Sequence, residues 1–141
     1  MKTVSATIEI GAPPLTVWAI LTDLASYHEW NPLFPEASGQ IVVGQRITLK
    51  SVHPANGRMM TVKPKITVAE AGAELRWTAS LPGIISGEHS FVFSPVSEGT
   101  RLTQSESLRG LLVPLSGKTI TRSQASFAAL NEALRKRAEA S

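Results

Sequence analysis

The stretch GEHSFVFSPVSEGTRLTQSE, residues 87–106, decides the fold because it predicts two long strands joined by a tight turn. Apolar and polar residues alternate through both halves, and the central SPVSEG carries the residue types that are typical of a turn. A turn centred on residues 96–99 predicts three opposed pairs, namely Phe93 with Leu102, Phe91 with Gln104, and His89 with Glu106. We therefore expect one face of the hairpin to combine apolar side chains with a histidine, a glutamine and a glutamate.

The three polar residues on this face admit two interpretations. A buried polar group without a partner costs ~1–3 kcal/mol, so a solid core would disfavour His89, Gln104 and Glu106 at these positions. Either His89 and Glu106 satisfy each other as a structural pair, or the face borders a cavity that holds water or a ligand. The opposite face, which carries Glu88 and Ser90, is polar and predicts exposure to solvent.

The segment before the sheet predicts one strand and two short helices. Residues 3–10 alternate as a half-buried strand, and residues 15–24 have apolar residues at helical spacing. Residues 25–30 predict a second helical turn, which must end before Pro32 because the residue that precedes a proline favours extended geometry.

The remaining chain predicts strands followed by one long helix. Before the hairpin, strands are expected at 41–43, 45–52, 59–70 and 75–81. Pro64 predicts an edge position or a bulge in the third of these. After Gly110 the pattern becomes helical, with a start near Pro114 and an apolar face that includes Phe127 and Leu130. Strands segregated from helices in this order indicate an α+β fold.

Composition bounds the class of protein. The 141 residues predict a single domain, residues 1–141, and the lack of cysteine excludes disulfides and cysteine-ligated metals. No segment has the pattern of a signal peptide or an integral membrane segment, so a cytoplasmic protein is expected. The net charge is +3, and the basic run at 135–137 lies where cations complement a helix dipole. We expect no nucleic-acid partner.

Two segments, APPLTVWAILTDLASYHEWNP near the start and GEHSFVFSP with GTRLTQSE near the end, resemble a known superfamily. It is the START/Bet v 1-like (SRPBCC) superfamily, and the sequence is similar more narrowly to its polyketide cyclase/dehydrase-like branch. The resemblance covers nearly the whole chain. It implies a helix-grip fold, in which a curved antiparallel sheet of about seven strands wraps around a long C-terminal helix. Two short helices follow strand 1, and a cavity lies between the sheet and the long helix.

The resemblance also implies a ligand-binding surface drawn from three parts of the chain. These are the segment after the first helix, the sheet and the long helix. The expected ligand-binding residues are Tyr27, Trp30, Phe34, Trp77, His89, Phe91, Gln104, Glu106, Phe127 and Leu130.

Three functions stay open at this level. The first is a carrier or sensor for a small hydrophobic molecule such as a lipid, a polyketide or an aromatic compound, in a monomer or a homodimer. The second is a polyketide cyclase/dehydratase-type enzyme in which His89 and Glu106 are the catalytic acid–base pair. The third is a protein–protein adaptor that uses the outer face of the sheet or an edge strand. Binding is preferred because it requires only the mixed apolar and polar face.

The other candidates for chemistry are weaker. The three histidines lack the spacing of a metal site, so we expect no metal and no cofactor. His53 adjoins the turn PANG at 54–57 and is expected to be exposed.

Overall fold

The computed structural model describes residues 2–53, 56–81, 85–110 and 117–141, with the backbone alone described at 81, 85 and 117–121. Its elements in chain order are β1 Lys2–Ile10, α1 Pro14–Thr22, a 3-10 helix Leu24–Glu29, β2 Glu36–Ser38, β3 Thr48–Val52, β4 Met59–Val62, β5 Lys65–Glu70, β6 Glu74–Leu81, β7 Ile85–Val96, β8 Gly99–Gly110 and α2 Gly117–Glu139. This is the helix-grip, α+β arrangement: a curved, mostly antiparallel sheet, two short helices after the first strand, and a long C-terminal helix.

The strands form two sheets that backbone hydrogen bonds join. Five strands have the order β1-β8-β7-β6-β5, and the other three have the order β2-β3-β4. Gly44 N donates to Ile66 O at 2.9 Å and Ile47 N donates to Pro64 O at 3.0 Å, which connects the segment before β3 to β5. Pro64 separates β4 from β5, and β5 is an edge strand with a register shift between Ile66 and Val68. The single strand predicted for 59–70 is therefore wrong, because it is divided at Pro64 into two strands that belong to different sheets.

The β7–β8 hairpin has the predicted register. Phe93 pairs with Leu102, Phe91 with Gln104, and His89 with Glu106. On the outer face, Ser90 and Ser105 share a hydrogen bond of 2.9 Å, as a polar solvent-facing surface predicts. β1 covers the other side of β8, with Ala6 opposite Gln104 and Val4 opposite Glu106.

Two further details of the strand prediction are wrong. Glu36–Ser38, one of the eight strands among the described residues, was not predicted; it pairs with β3 although its three residues carry no recognisable alternation. Residues 41–43 are not a strand, since Val42 and Val43 are exposed and Gln45 N closes a turn onto Val42 O. Gly44, with φ +91°, lies in this turn. The expected helix start at Pro114 lies outside the described residues.

The helices close the concave side of the sheet. α1 starts with Pro14 in its first turn and buries Val17 and Leu21. α2 buries Phe127, Leu130 and Leu134 among its described residues.

The C-terminal end of α2 is fixed by polar contacts. Gly11 N donates to Glu139 Oε2 at 2.8 Å, and Arg137 forms an ion pair with Glu29 at 2.6 Å. Arg135 hydrogen-bonds Glu132 and lowers the pKa of that carboxyl group. Much of the basic run at 135–137 is therefore paired within the protein.

Within the described ranges, none of the helices has the length and the apolar character that crossing a membrane requires.

Candidate functional site: a cavity beside His89 and Glu106

A cavity of about 270 Å³ lies between the sheet and the described N-terminal part of α2. It is close to the lower limit of ligand pockets, which begin at about 300 Å³, so it suits a small molecule. Its wall is mostly apolar, with few polar groups. The described residues that line it are Leu33, Phe34, Leu49, Ser51, Val52, His53, Met60, Val62, Pro64, Trp77, Ala79, Gly87, His89, Glu106, Leu108, Ser123, Ser126 and Phe127.

The space exists because small residues occupy inward positions around it. Ala79 of β6 pairs with Gly87 of β7, so neither strand fills this part of the concave side. A Cβ added at Gly87 would lie 3.3 Å from the side chain of Leu108, close to the surface of the cavity. Ser123 and Ser126 of α2 face the same space.

Phe34 is held in the wall by the loop after the 3-10 helix. The side chain of Asn31 accepts hydrogen bonds from Leu33 N at 3.0 Å and Phe34 N at 2.8 Å. This Asx arrangement turns the chain directly after Pro32. It places the Phe34 ring edge-on to Trp77 and to His89, with ring centroids 5.9 Å apart in both pairs.

His89 lies at the bottom of the cavity, where aromatic rings enclose it. Its side chain is 4% exposed and stacks on Trp77, with the ring centroids 5.3 Å apart and the planes inclined by 23°. The Phe127 ring approaches edge-on at 4.9 Å, and the Phe91 ring lies 5.1 Å away. Because these contacts fix the imidazole plane, its two nitrogens point to defined partners.

A chain of hydrogen bonds runs from the cavity into the core through His89. Nδ1 of His89 lies 3.3 Å from Glu106 Oε2, and Nε2 lies 2.9 Å from Gln104 Oε1. Gln104 Nε2 donates to Phe127 O at 3.2 Å and to Asn131 Oδ1 at 2.9 Å. Asn131 Nδ2 donates in turn to Ala6 O at 3.0 Å. The buried polar groups of the hairpin face are thus satisfied, as buried groups must be.

Glu106 is the most exposed member of this series of hydrogen-bonded side chains. Its side chain is 28% exposed, whereas Gln104 and Asn131 are almost fully buried. A carboxyl group at the edge of an apolar space can accept a hydrogen bond from a ligand or exchange a proton with it. The His89–Glu106 contact is therefore both a structural pair and part of the cavity wall.

The comparisons with known proteins agree with this architecture. The family model described as "Polyketide cyclase / dehydrase and lipid transport" matches residues 1–139. The chain belongs to this family. The resemblance seen in the sequence is thereby confirmed.

Solved structures with the same fold come from several bacteria. Protein MLL2253 from Mesorhizobium loti is 21% identical with a TM-score of 0.77, and the match covers 96% of this chain and 95% of that one. A START superfamily protein from Mycobacterium smegmatis is 19% identical with a TM-score of 0.76, and 97% of each chain is covered. TTHA0849 from Thermus thermophilus is 20% identical with a TM-score of 0.77, covering 99% and 98%. At these identities the likeness shows the fold. No curated protein sequence matches the chain.

In this family member, the structure brings half of the expected ligand-binding residues to the cavity. Phe34, Trp77, His89, Glu106 and Phe127 line it. The other five are not among the described residues of its wall. Phe91, Gln104 and Leu130 are fully buried behind that wall.

Tyr27 is buried in the core and the partly buried Trp30 packs against it, and neither is among the described residues of the cavity wall. Their ring centroids are 5.3 Å apart, and the Tyr27 hydroxyl donates to Leu21 O. Burial, together with the nearby carboxylate of Asp23, raises the pKa of Tyr27 well above its usual range.

Several cavity residues were missed by the sequence reasoning. Leu49, Ser51, Met60 and Val62 come from β3 and β4, which pair Leu49 with Val62 and Ser51 with Met60. Strand alternation could have placed each pair on one face, but nothing in the sequence indicates that this hairpin curls over the cavity. Gly87 shares the parity of His89 and could have been found from it.

His53 differs from its expected exposure. It is half-buried and lies in the cavity wall, because His53 N donates to Arg58 O at 2.8 Å and keeps the start of the turn close to the sheet. Among the described residues, no group of three metal-ligating side chains could hold a metal ion.

Proposed function

We propose that the protein binds a small hydrophobic molecule in the cavity beside His89 and Glu106, as a carrier or sensor. The observation that supports the proposal most strongly is an apolar space of about 270 Å³ with one partly exposed carboxyl group in its wall. Apolar walls with a few placed polar groups are characteristic of small-molecule sites. Membership of a family described by polyketide chemistry and lipid transport agrees with this class of ligand.

The ligand is expected to contact Phe34, Trp77 and Phe127 through its apolar part. These rings lie around His89 and form a continuous aromatic surface. Phe91, Gln104 and Leu130 then support this surface from behind, and Tyr27 and Trp30 stabilise the fold at a distance from the ligand.

The proposal is tested by filling the cavity from the helix side. Ser126→Leu adds a branched side chain at a wall position of α2, whereas Ala129→Leu adds the same group at an exposed position of the same helix. Isothermal titration with 2-methylnaphthalene and with linear fatty alcohols should give binding to the unaltered protein and to Ala129→Leu. Binding should be lost in Ser126→Leu. Native mass spectrometry of protein purified from cells should detect a retained apolar molecule in the unaltered protein and in Ala129→Leu, and none in Ser126→Leu.

Two outcomes would contradict the proposal. One is the absence of binding by any apolar compound to the unaltered protein. The other is binding that persists unchanged in Ser126→Leu, because the ligand would then lie elsewhere.

Catalysis of the polyketide cyclase/dehydratase type is a second candidate, and the His89–Glu106 contact of 3.3 Å favours it. A carboxyl group with an imidazole behind it, at the edge of an apolar space, is suited to general acid–base chemistry. Loss of water from a β-hydroxyacyl thioester is the simplest reaction to measure, by mass spectrometry. Turnover should fall at least about 100-fold in Glu106→Gln if the pair is catalytic. Turnover that survives both Glu106→Gln and His89→Ala would exclude this role.

A further inference from the structure

The polarity of the hydrogen-bond chain points to a ligand class. We propose that the cavity selects neutral apolar ligands that carry a hydrogen-bond donor, such as a phenolic or enolic hydroxyl group, and that Oε1 of Glu106 accepts this hydrogen bond. The inference rests on the proposed ligand-binding function and deepens it.

The direction of every hydrogen bond in the chain follows from its two backbone ends. The carbonyl oxygens of Ala6 and Phe127 can only accept. Asn131 therefore presents its NH₂ group to Ala6 and its oxygen to Gln104, and Gln104 presents its NH₂ group to Phe127 and Asn131. The oxygen of Gln104 is left for His89, so Nε2 of His89 must carry a hydrogen.

His89 consequently has no nitrogen to offer to a ligand. Nε2 is committed to Gln104 and Nδ1 to Glu106, and the ring lies among Trp77, Phe91 and Phe127. With only 4% of its side chain exposed, His89 links Gln104 to Glu106 and contributes an aromatic edge to the wall.

The contact between Nδ1 of His89 and Oε2 of Glu106 determines whether Oε1 of Glu106 donates or accepts a hydrogen bond. Because Nε2 already carries a hydrogen, the contact at 3.3 Å requires one further proton between Nδ1 of His89 and Oε2 of Glu106. If that proton is on Nδ1, Glu106 is a carboxylate, which only accepts. If it is on Oε2, it points to Nδ1 and Oε1 is a carbonyl oxygen, which also only accepts. In both cases Oε1, which has no partner among the described residues, accepts a hydrogen bond.

The rest of the described wall does not favour an anion. Its charged or titratable residues are His53, His89 and Glu106, and it contains no lysine or arginine. The hydroxyl groups of Ser51 and Ser123 can donate or accept and so set no preference. A carboxylate or phosphate group beside Glu106 would find no lysine or arginine among the described wall residues, and an anion without such a partner is costly in an apolar space.

Two compounds of nearly equal shape test the inference, namely 2-naphthol and 2-methylnaphthalene. They differ in a hydroxyl group against a methyl group, and both are neutral at neutral pH. Their affinities are measured by isothermal titration for the unaltered protein, Glu106→Gln, Glu106→Leu and Glu88→Gln. Glu88 lies on the outer face of the neighbouring strand, so Glu88→Gln controls for loss of a carboxylate. Comparison of the affinity ratio between variants cancels the difference in hydration of the two compounds.

We expect the ratio of 2-naphthol to 2-methylnaphthalene affinity to fall about tenfold from the unaltered protein to Glu106→Leu, and less in Glu106→Gln, whose amide oxygen still accepts. Glu88→Gln should keep the ratio of the unaltered protein. If both compounds bind and the ratio is the same in all four proteins, the inference is overturned while the proposed function stands. If Glu106→Leu does not fold, an unchanged ratio in Glu106→Gln overturns it. If neither compound binds any of the proteins, the inference is overturned, and the proposed function is overturned with it when the linear fatty alcohols do not bind either.

Discussion

The concave side of the sheet has a packed half and a cavity half, although the same elements build both. The packed half is defined by Leu75, Phe91, Phe93, Leu102, Leu130 and Leu134, which are at most 5% exposed. The cavity half is defined by Ala79, Gly87, Leu108, Ser123 and Ser126, all of which line the cavity. The difference between the halves lies in side-chain volume at equivalent positions.

The size of the inward side chains of β7 decreases from the packed half to the cavity half. In order along the strand, they are Phe93, Phe91, His89 and Gly87, and they pair with Leu102, Gln104, Glu106 and Leu108 of β8. Protein interiors are packed as densely as organic crystals, so large inward residues leave no space and small ones do. The polar chain through His89 and Gln104 lies between the two halves. The inward residues of this hairpin, together with Ala79 of β6 and the two serines of α2, therefore determine where the cavity lies.

The largest contrast is expected from the same substitution at two positions of β8. Leu102→Ala removes a fully buried side chain from the packed half and should cost about 3–4 kcal/mol of unfolding free energy. Leu108→Ala removes a partly exposed side chain from the wall of an existing cavity and should cost about 1 kcal/mol. Urea unfolding followed by tryptophan fluorescence measures both. Equal losses would mean that the two halves are packed alike.

The boundary between the halves is tested by removing the centre of the polar chain. Gln104→Met keeps the length of the side chain but leaves Nε2 of His89, Oδ1 of Asn131 and the carbonyl of Phe127 without their partner. We expect a loss of about 2–3 kcal/mol in the same unfolding assay.

Thr103→Val is the matched control for this substitution. Thr103 directly precedes Gln104 in β8, faces outward and shares a hydrogen bond of 3.2 Å with Thr7 at an exposed site. Its replacement should change stability by less than about 0.5 kcal/mol. Similar losses of unfolding free energy in the two variants would show that the buried series of hydrogen bonds contributes little to stability.

The β7–β8 hairpin was predictable from sequence, and the reason is geometric. Strand alternation and a defined turn determine which residues oppose each other, so Phe91 with Gln104 and His89 with Glu106 followed directly. Most of the elements followed as well, because the apolar pattern is regular over most of the chain, whereas the family came from the resemblance of residues 12–32 and 87–106 to a known superfamily.

The composition of the cavity wall was less predictable. Its β3–β4 residues depend on how far the sheet curls, which is a property of the whole fold and has no local signal. Tyr27 and Trp30 were expected at the cavity because the family resemblance implies that their segment shapes one end of it. Aromatic residues suit both ligand sites and cores, and only the packing distinguishes these roles: Tyr27 is buried in the core and Trp30 packs against it. The short strand Glu36–Ser38 was missed because three residues are too few to reveal alternation.

A titration to alkaline pH tests whether water reaches the side chain of Tyr27, the single tyrosine of the chain. Burial raises the pKa of its hydroxyl group above the usual value of 10.0, so the folded protein keeps the proton that the unfolded chain loses. The unfolding free energy should not depend on this group below about pH 10, and it should fall by about 1.4 kcal/mol for each pH unit above that value. Absorbance at 295 nm reports this one tyrosinate.

The absorbance change should coincide with unfolding rather than precede it. Circular dichroism recorded over the same pH range gives the comparison, and Tyr27→Phe should lose the absorbance change altogether. Ionisation of Tyr27 near pH 10 in a protein that is still folded would mean that water reaches this part of the core.

The smallest effect is expected where the cavity half is made to resemble the packed half. Ser126→Leu places a branched apolar side chain in the cavity wall and replaces a hydroxyl group that only bonds back to Arg122 O at 3.2 Å. Leucine also favours a helix more than serine does, so the unfolding free energy should rise by about 0.5–1 kcal/mol. Ala129→Leu, on the exposed face, should change it by less than about 0.5 kcal/mol. A gain in stability together with the loss of ligand binding would show that the small residues of the cavity half are kept for binding at the expense of packing. A clear loss of stability would show instead that the space is too narrow for added atoms, and the distinction between the two halves would then be one of polarity rather than volume.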